Sequence, residues 1–70
     1  MSNFKPGDKV KHDGNEPYVY FGGPVEGVVT EIDGPLVLIE AIPVGLTEED
    51  GPMPQLVKPE HLTMIQEAIF

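Results

Sequence analysis

The 70-residue sequence contains no cysteine, tryptophan or arginine, and basic charge is scarce, with four lysines set against twelve acidic residues. Without cysteine there is no disulfide framework, no thiolate nucleophile and no Cys-ligated zinc. The usual stabilisers of a mini-domain are therefore missing, and a reducing, cytoplasmic setting is the expectation. Long hydrophobic runs are also absent. The stretch from Leu36 to Ile39 is far too short to span a bilayer, and the N-terminus lacks the apolar region of a signal peptide, so no membrane association is expected. The formal net charge is −8, unevenly spread. Lys5, Lys9 and Lys11 less Asp8 leave the first eleven residues at +2 and everything after them at −10. Nucleic-acid binding draws on Lys and Arg to neutralise phosphates, and outside the N-terminal segment only Lys58 is available, so direct DNA or RNA binding is not expected. An acidic surface instead favours solubility and steers association toward basic patches on a partner.

What the chain does have is eight glycines and eight prolines, which divide it into segments too short for a long helix, with Val and Ile rich between them. This predicts one all-β domain. Phe4 to Asp8 reads as a turn leading into a strand over Lys9 to His12, with Val10 inward. Asp13 to Pro17 reads as a loop, and Tyr18 to Phe21 as an aromatic loop or edge closed by Gly22-Gly23-Pro24. Val25 to Ile32 and Leu36 to Ile42 form the central hairpin about Asp33-Gly34-Pro35. Pro43 to Pro54, centred on Thr47 to Gly51, is expected to be an exposed, mobile loop. Gln55 to Val57 resumes the strand pattern, Lys58 to Leu62 suits one 3₁₀ turn with Pro at its start, and Thr63 to Ile65 closes the sheet. Residues 4–65 form the domain and residues 66–70 a tail that frays or docks.

This order carries a resemblance, in Lys5-Pro6-Gly7-Asp8-Lys9-Val10, Gly27-Val28-Val29-Thr30-Glu31-Ile32, Leu36-Val37-Leu38-Ile39 and Leu56-Val57-Lys58-Pro59-Glu60-His61-Leu62. It resembles SH3-like small β-barrels, including KOW domains. The resemblance implies a five-stranded barrel with a 3₁₀ turn before the last strand. KOW domains of transcription and ribosomal factors contact RNA or RNA polymerase, and Gly27 stands where their characteristic Gly falls. Their nucleic-acid-contacting loops are basic, whereas the loops here carry Asp13, Glu16, Asp33 and Glu48 to Asp50. Gln55 to Ile65 is also similar to a segment of type II plasmid dihydrofolate reductases, which bind folate and NADPH in a tetrameric pore. Val57 replaces their Tyr, and His12 or Asp13 stands where a cofactor-steering Lys is expected, so neither that activity nor any cofactor is expected.

Catalytic groups are few. Strand neighbours point to opposite faces, so His12 and Asp13 are poorly placed to pair, His61 lies on a turn, and both imidazoles are expected at the surface. Glu48-Glu49-Asp50 lacks the alternating ligands of an EF-hand loop, so no metal is expected. Ser2, Thr30, Thr47 and Thr63 sit in no nucleophile elbow, and Gly22-Gly23-Pro24 precedes a strand rather than the helix of a phosphate loop. The expected role is binding rather than catalysis. A period of two puts Val37, Ile39 and Ala41 on one face of their strand and Leu36, Leu38 and Ile42 on the other, so both faces are apolar. Tyr18, Tyr20, Phe21, Leu36 and Leu38 are the candidate binding residues, with Glu48, Glu49 and Asp50 steering a protein partner of basic surface or, through the hairpin face, a second copy of the chain. One alternative is a phage-type acidic inhibitor or modulator that occupies the nucleic-acid-binding surface of a host machine such as RNA polymerase, and a second, less favoured one is a pore enzyme of the type II reductase kind.

Overall fold

A computed structural model of the chain describes residues 4–69. Five strands, β1 (Lys9–His12), β2 (Val25–Asp33), β3 (Leu36–Ala41), β4 (Met53–Val57) and β5 (Leu62–Gln66), form one antiparallel sheet in the order β4-β3-β2-β1-β5. Two 3₁₀ turns interrupt the connections, Glu48–Asp50 before β4 and Pro59–His61 immediately before β5. The all-β class, the central hairpin and the 3₁₀ turn ahead of the last strand agree with the sequence. The sheet is open at one seam: β4 and β5 are its two ends, and no ladder joins them among the described residues. The radius of gyration, 11.1 Å, is nonetheless that of a fully compact chain of this length.

Alternation along each strand builds the core. Val10, Val25, Val29, Val37, Ile39, Ala41, Val57 and Leu62 turn inward and cluster with Phe21. On β4 the one proline, Pro54, is tolerated because this is an edge strand, and its missing N–H makes the edge a poorer template for pairing with another chain. Gly27 lies on β2 because a Cβ there would come within 2.7 Å of the Glu40 carbonyl oxygen and 2.9 Å of the Ala41 Cβ on β3. Its role is the close approach of two strands.

Asp8 extends the inward alternation of β1 by one position and is fully buried. Its Oδ2 accepts the Lys5 N–H at 2.9 Å and its Oδ1 accepts the Ala68 N–H at 2.7 Å. Thus the Pro6-Gly7 turn and the chain beyond β5 are fastened to one carboxylate. Burial pushes that carboxyl up, but the Ala68 and Lys5 N–H groups and the Lys5 ammonium outweigh it, so it lies below its ordinary value. β5 runs through Gln66, one residue past the strand end expected, and of the two fates expected for the tail it shows docking, at Ala68. Phe70, at the end of that tail, and Ser2 lie outside the described residues.

Candidate functional site

The 12-residue connection between β1 and β2 runs from Asp13 to Pro24 and carries the features that bear on function. Its aromatic run also alternates. Tyr18 and Tyr20 point to solvent at 88% and 75% exposure, whereas Phe21 is 1% exposed and its ring meets the His12 imidazole edge-on at 5.4 Å. Phe21 therefore packs in the core, and it also lines the floor of the adjoining apolar cleft rather than standing open to solvent like the two tyrosines. The reason is its position in the alternation with half-buried Val19, which puts both against the inner face of the sheet.

Val19 N–H bonds to Glu16 C=O at 3.4 Å, closing a turn with Pro17 and Tyr18 at its centre, and Tyr18 has φ +68. Such a turn ordinarily places Gly or Asn in this left-handed position, which costs other residues about 1–2 kcal/mol. Beyond it, the Gln55 side chain on β4 grips the backbone of Tyr20. Its Oε1 accepts the Tyr20 N–H at 3.1 Å, and its Nε2 donates to the Tyr20 C=O at 3.3 Å. Phe21 C=O accepts the Val44 N–H at 2.7 Å, which ties the loop to the β3–β4 connection. Between these segments lies an open apolar cleft of about 550 Å³, walled by Val19, Tyr20, Gly22, Val44, Leu46 and Met53. Val44, Leu46 and Met53 had no place in the sequence-derived site. Their signal was faint: each is a single apolar residue among Pro, Gly and acid.

Glu48, Glu49 and Asp50 are exposed and sit on a 3₁₀ turn flanked in the chain by Leu46 and Met53, two of the cleft's walls. Their segment, expected as an exposed loop, is exposed and contains a 3₁₀ turn closed by local hydrogen bonds. The Thr47 N–H and hydroxyl both donate to Asp50 Oδ2, at 3.0 and 3.2 Å. Leu36 and Leu38 are half-buried on the opposite, outer face, where Leu38 stands across from exposed Leu56 on β4. The structure thus divides the five candidate residues among a loop rim (Tyr18, Tyr20), the core (Phe21) and the outer hairpin face (Leu36, Leu38).

Under the loop lies a polar cluster the sequence did not disclose. His12 is fully buried rather than at the surface, because it shares the inward face of β1 with Val10. Gly14 N–H donates to its Nδ1 at 2.9 Å. A backbone amide can only donate, so Nδ1 is an acceptor and the ring proton sits on Nε2, which donates to Glu16 Oε1 at 3.0 Å. Glu16, also buried, takes the Lys58 N–H on Oε1 and Oε2 at 3.1 and 3.0 Å. The His61 ring stacks on His12 with centroids 5.8 Å apart and donates from Nδ1 to Asp13 Oδ2 at 2.8 Å. The Asn15 N–H, and after it His61, hold the Asp13 carboxyl below its usual range. Gly14 is required here because a Cβ would collide with the Gly23 carbonyl group, and its φ is +78.

Each imidazole hydrogen-bonds a carboxylate, and neither bonds a hydroxyl among the described residues. No three His, Asp or Glu side chains among those residues are placed to hold a metal ion. No helix among them is long and apolar enough to cross a membrane. Comparison of the chain with family models, curated proteins and solved structures finds no match.

Proposed function

We propose that the chain is a non-enzymatic binding module of SH3-like, KOW-like type that takes a protein partner on the rim formed by Tyr18 and Tyr20 and in the cleft beside it. The observation that carries this reading is exposed Tyr20 on an open apolar cleft also walled by Val44, Leu46 and Met53, with bare Tyr18, at φ +68, two residues before it in the same loop. Large apolar side chains left in water, and backbone strain retained at an exposed turn, are both features of recognition surfaces. The strand order and the 3₁₀ turn before β5 support the SH3-like assignment. Tyrosine is well suited to the task, since it offers a large rigid contact at little entropic cost.

Charge selects the partner. None of the cleft's walls is charged, the turn between Leu46 and Met53 carries three acids, and the whole chain stands at −8. The complementary ligand is a segment that pairs an aliphatic anchor for the cleft with Arg or Lys. An Arg guanidinium could lie over a tyrosine ring while facing the acidic turn. The test is a titration of the ¹⁵N-labelled chain with short synthetic Arg-Leu peptides and with matched Glu-Leu peptides. Shifts from the Arg-Leu series alone, confined to the 18–23 and 43–53 segments and abolished by Tyr20→Ala, are expected. Absence of binding, or shifts centred on Leu36 and Leu38, would overturn the assignment of this cleft.

A further inference from the structure

The binding loop is built on a buried histidine whose two ring nitrogens have different and fixed partners, and this arrangement makes its position depend on a proton. We infer that His12 and Glu16 form a proton-linked latch that holds the Asp13-to-Tyr18 loop in its closed position while His12 Nδ1 is unprotonated and releases it in acid. The inference rests on the loop reading above only for its relevance to binding; the latch itself stands on the geometry of the free chain.

The latch has three bonds. Gly14 N–H to His12 Nδ1 pins the start of the loop, His12 Nε2–H to Glu16 Oε1 pins its middle, and Glu16 in turn grips the Lys58 N–H at the end of β4. Glu16 is followed directly by Pro17 and Tyr18, and its carbonyl closes the turn that presents Tyr18. A proton added to Nδ1 converts the acceptor of the Gly14 bond into a donor, so two N–H groups would face one another in a buried site. The bond must break. A proton on Nδ1 and the Gly14 bond exclude one another, so a doubly protonated ring belongs with the open loop.

The groups around the ring set the terms of this exchange. Glu16 Oε1 faces Nε2, Asp13 Oδ1 stands 3.9 Å from Nδ1, the Phe21 edge closes one side, and the His61 ring covers the other while its own Nδ1 is held by Asp13. A protonated His61 satisfies Asp13 and sets a positive charge against His12, which opposes a second cation there. The one competing outcome is that Asp13 swings from its present bonds to accept a proton on His12 Nδ1. Doing so would cost it the Asn15 N–H bond at 2.8 Å, the His61 bond, or both.

The test uses the full chain without any ligand. Long-range ¹H–¹⁵N spectra of the imidazoles from pH 8 to pH 5 report the tautomer, and amide exchange reports the loop. Expected at neutral pH is a His12 ring protonated only on Nε2. As it takes up its second proton, the Gly14 and Val19 amides should exchange roughly tenfold faster or more, while Val37 and Ile39 stay protected. His12→Asn, whose Oδ1 can replace Nδ1 as the acceptor but does not titrate, should keep the Gly14 amide protected throughout. A ring protonated on Nδ1 at neutral pH, or a doubly protonated His12 with the Gly14 amide still protected, would overturn the latch even if the Asn variant did not fold. Persistence of the acid transition in a folded His12→Asn chain would do the same. None of these readouts involves a partner, so failure of the latch and failure of the peptide titration are separate results.

Discussion

Glu16 and Lys58, 42 positions apart, are joined by the Glu16 carboxylate receiving the Lys58 backbone N–H on both oxygens, at 3.1 and 3.0 Å. The same carboxylate is the acceptor for buried His12. One side chain thus satisfies two donors and fixes the β1–β2 loop to the end of β4. Its truncation should be among the most damaging single changes in the molecule. Glu16→Ala leaves the His12 N–H and the Lys58 N–H without their acceptor, at about 1–3 kcal/mol for each donor left buried and unpaired. Glu16→Gln keeps one acceptor oxygen and should cost clearly less. Urea unfolding followed by circular dichroism measures both, and equal losses in the two variants would show that the carboxylate matters only as bulk.

How much of this was legible in the sequence depends on where a residue's partners lie. Val37, Ile39 and Ala41 are placed correctly by strand alternation alone, because their burial needs only an apolar neighbour and the core supplies many. Alternation likewise puts Asp8 and His12 on the inward face with Val10, and Phe21 inward with Val19. Yet a carboxylate or an imidazole is expected in water until a specific partner is known, and those partners, Ala68 and Lys5 for Asp8 and Glu16 and Gly14 for His12, lie outside the strand whose alternation was read. Tyr18 and Tyr20 stand exposed on the loop, as an aromatic run bounded by Pro and Gly led one to expect. The cleft's far wall was missed because Val44, Leu46 and Met53 are brought together only by the Phe21–Val44 and Tyr20–Gln55 hydrogen bonds.

Acid should loosen the fold through Asp8. Its folded-state value lies below the ordinary 3.8, so the carboxylate's contribution to stability is fully present above that value and is lost as pH falls through the lower, folded one. The urea midpoint should therefore decline between about pH 5 and pH 2. Asp8→Ala should remove part of that decline and cost about 1–3 kcal/mol at neutral pH. It should also unprotect the Ala68 amide. A midpoint in Asp8→Ala with the wild-type acid dependence would place the sensitivity elsewhere.

The acidic turn should be dispensable for folding. Glu48, Glu49 and Asp50 bury nothing, and the Thr47 side-chain and backbone bonds to Asp50 are wholly local. Replacing residues 47–51 with Gly and Ser should shift stability by no more than about 1 kcal/mol. The replacement must stop short of Leu46 and Met53, which wall the cleft. Association with an Arg-Leu peptide should slow and lose most of its salt dependence in this variant. Unfolding of the chain would show that the turn is structural.

The outer hairpin face offers a separate test. Leu38 is half-buried opposite Leu56, on the side of the sheet away from the core. Leu38→Glu should therefore leave the chain folded, at a cost of about 1–2 kcal/mol in lost apolar contact. If copies of the chain associate through this face, the added charge on a molecule already at −8 should reduce that association. Sedimentation and circular dichroism read the two effects. A strictly monomeric wild type together with an unfolded Leu38→Glu would make Leu38 a core residue and leave the Tyr18–Tyr20 rim as the sole candidate surface.

Tyr18 sets stability and recognition against one another, and that opposition can be measured in a single substitution. Its φ of +68 is a conformation glycine adopts freely and a tyrosine holds at about 1–2 kcal/mol. The side chain recovers little of this from packing, since 88% of the residue stays in water. Tyr18→Gly relieves the strain but gives the unfolded chain more freedom, which takes back about 0.5–1 kcal/mol. The net expectation is a chain as stable as wild type or up to roughly 1 kcal/mol more stable. Tyr18→Ala keeps the strain and gains nothing, so it should be no more stable than wild type. Both variants lack the ring and should bind an Arg-Leu peptide several-fold more weakly. A residue whose removal raises stability while lowering affinity is one kept for what it touches outside the molecule. Should Tyr18→Gly instead unfold more readily, with affinity unchanged, the ring would be a support for the loop and the recognition surface would begin at Tyr20.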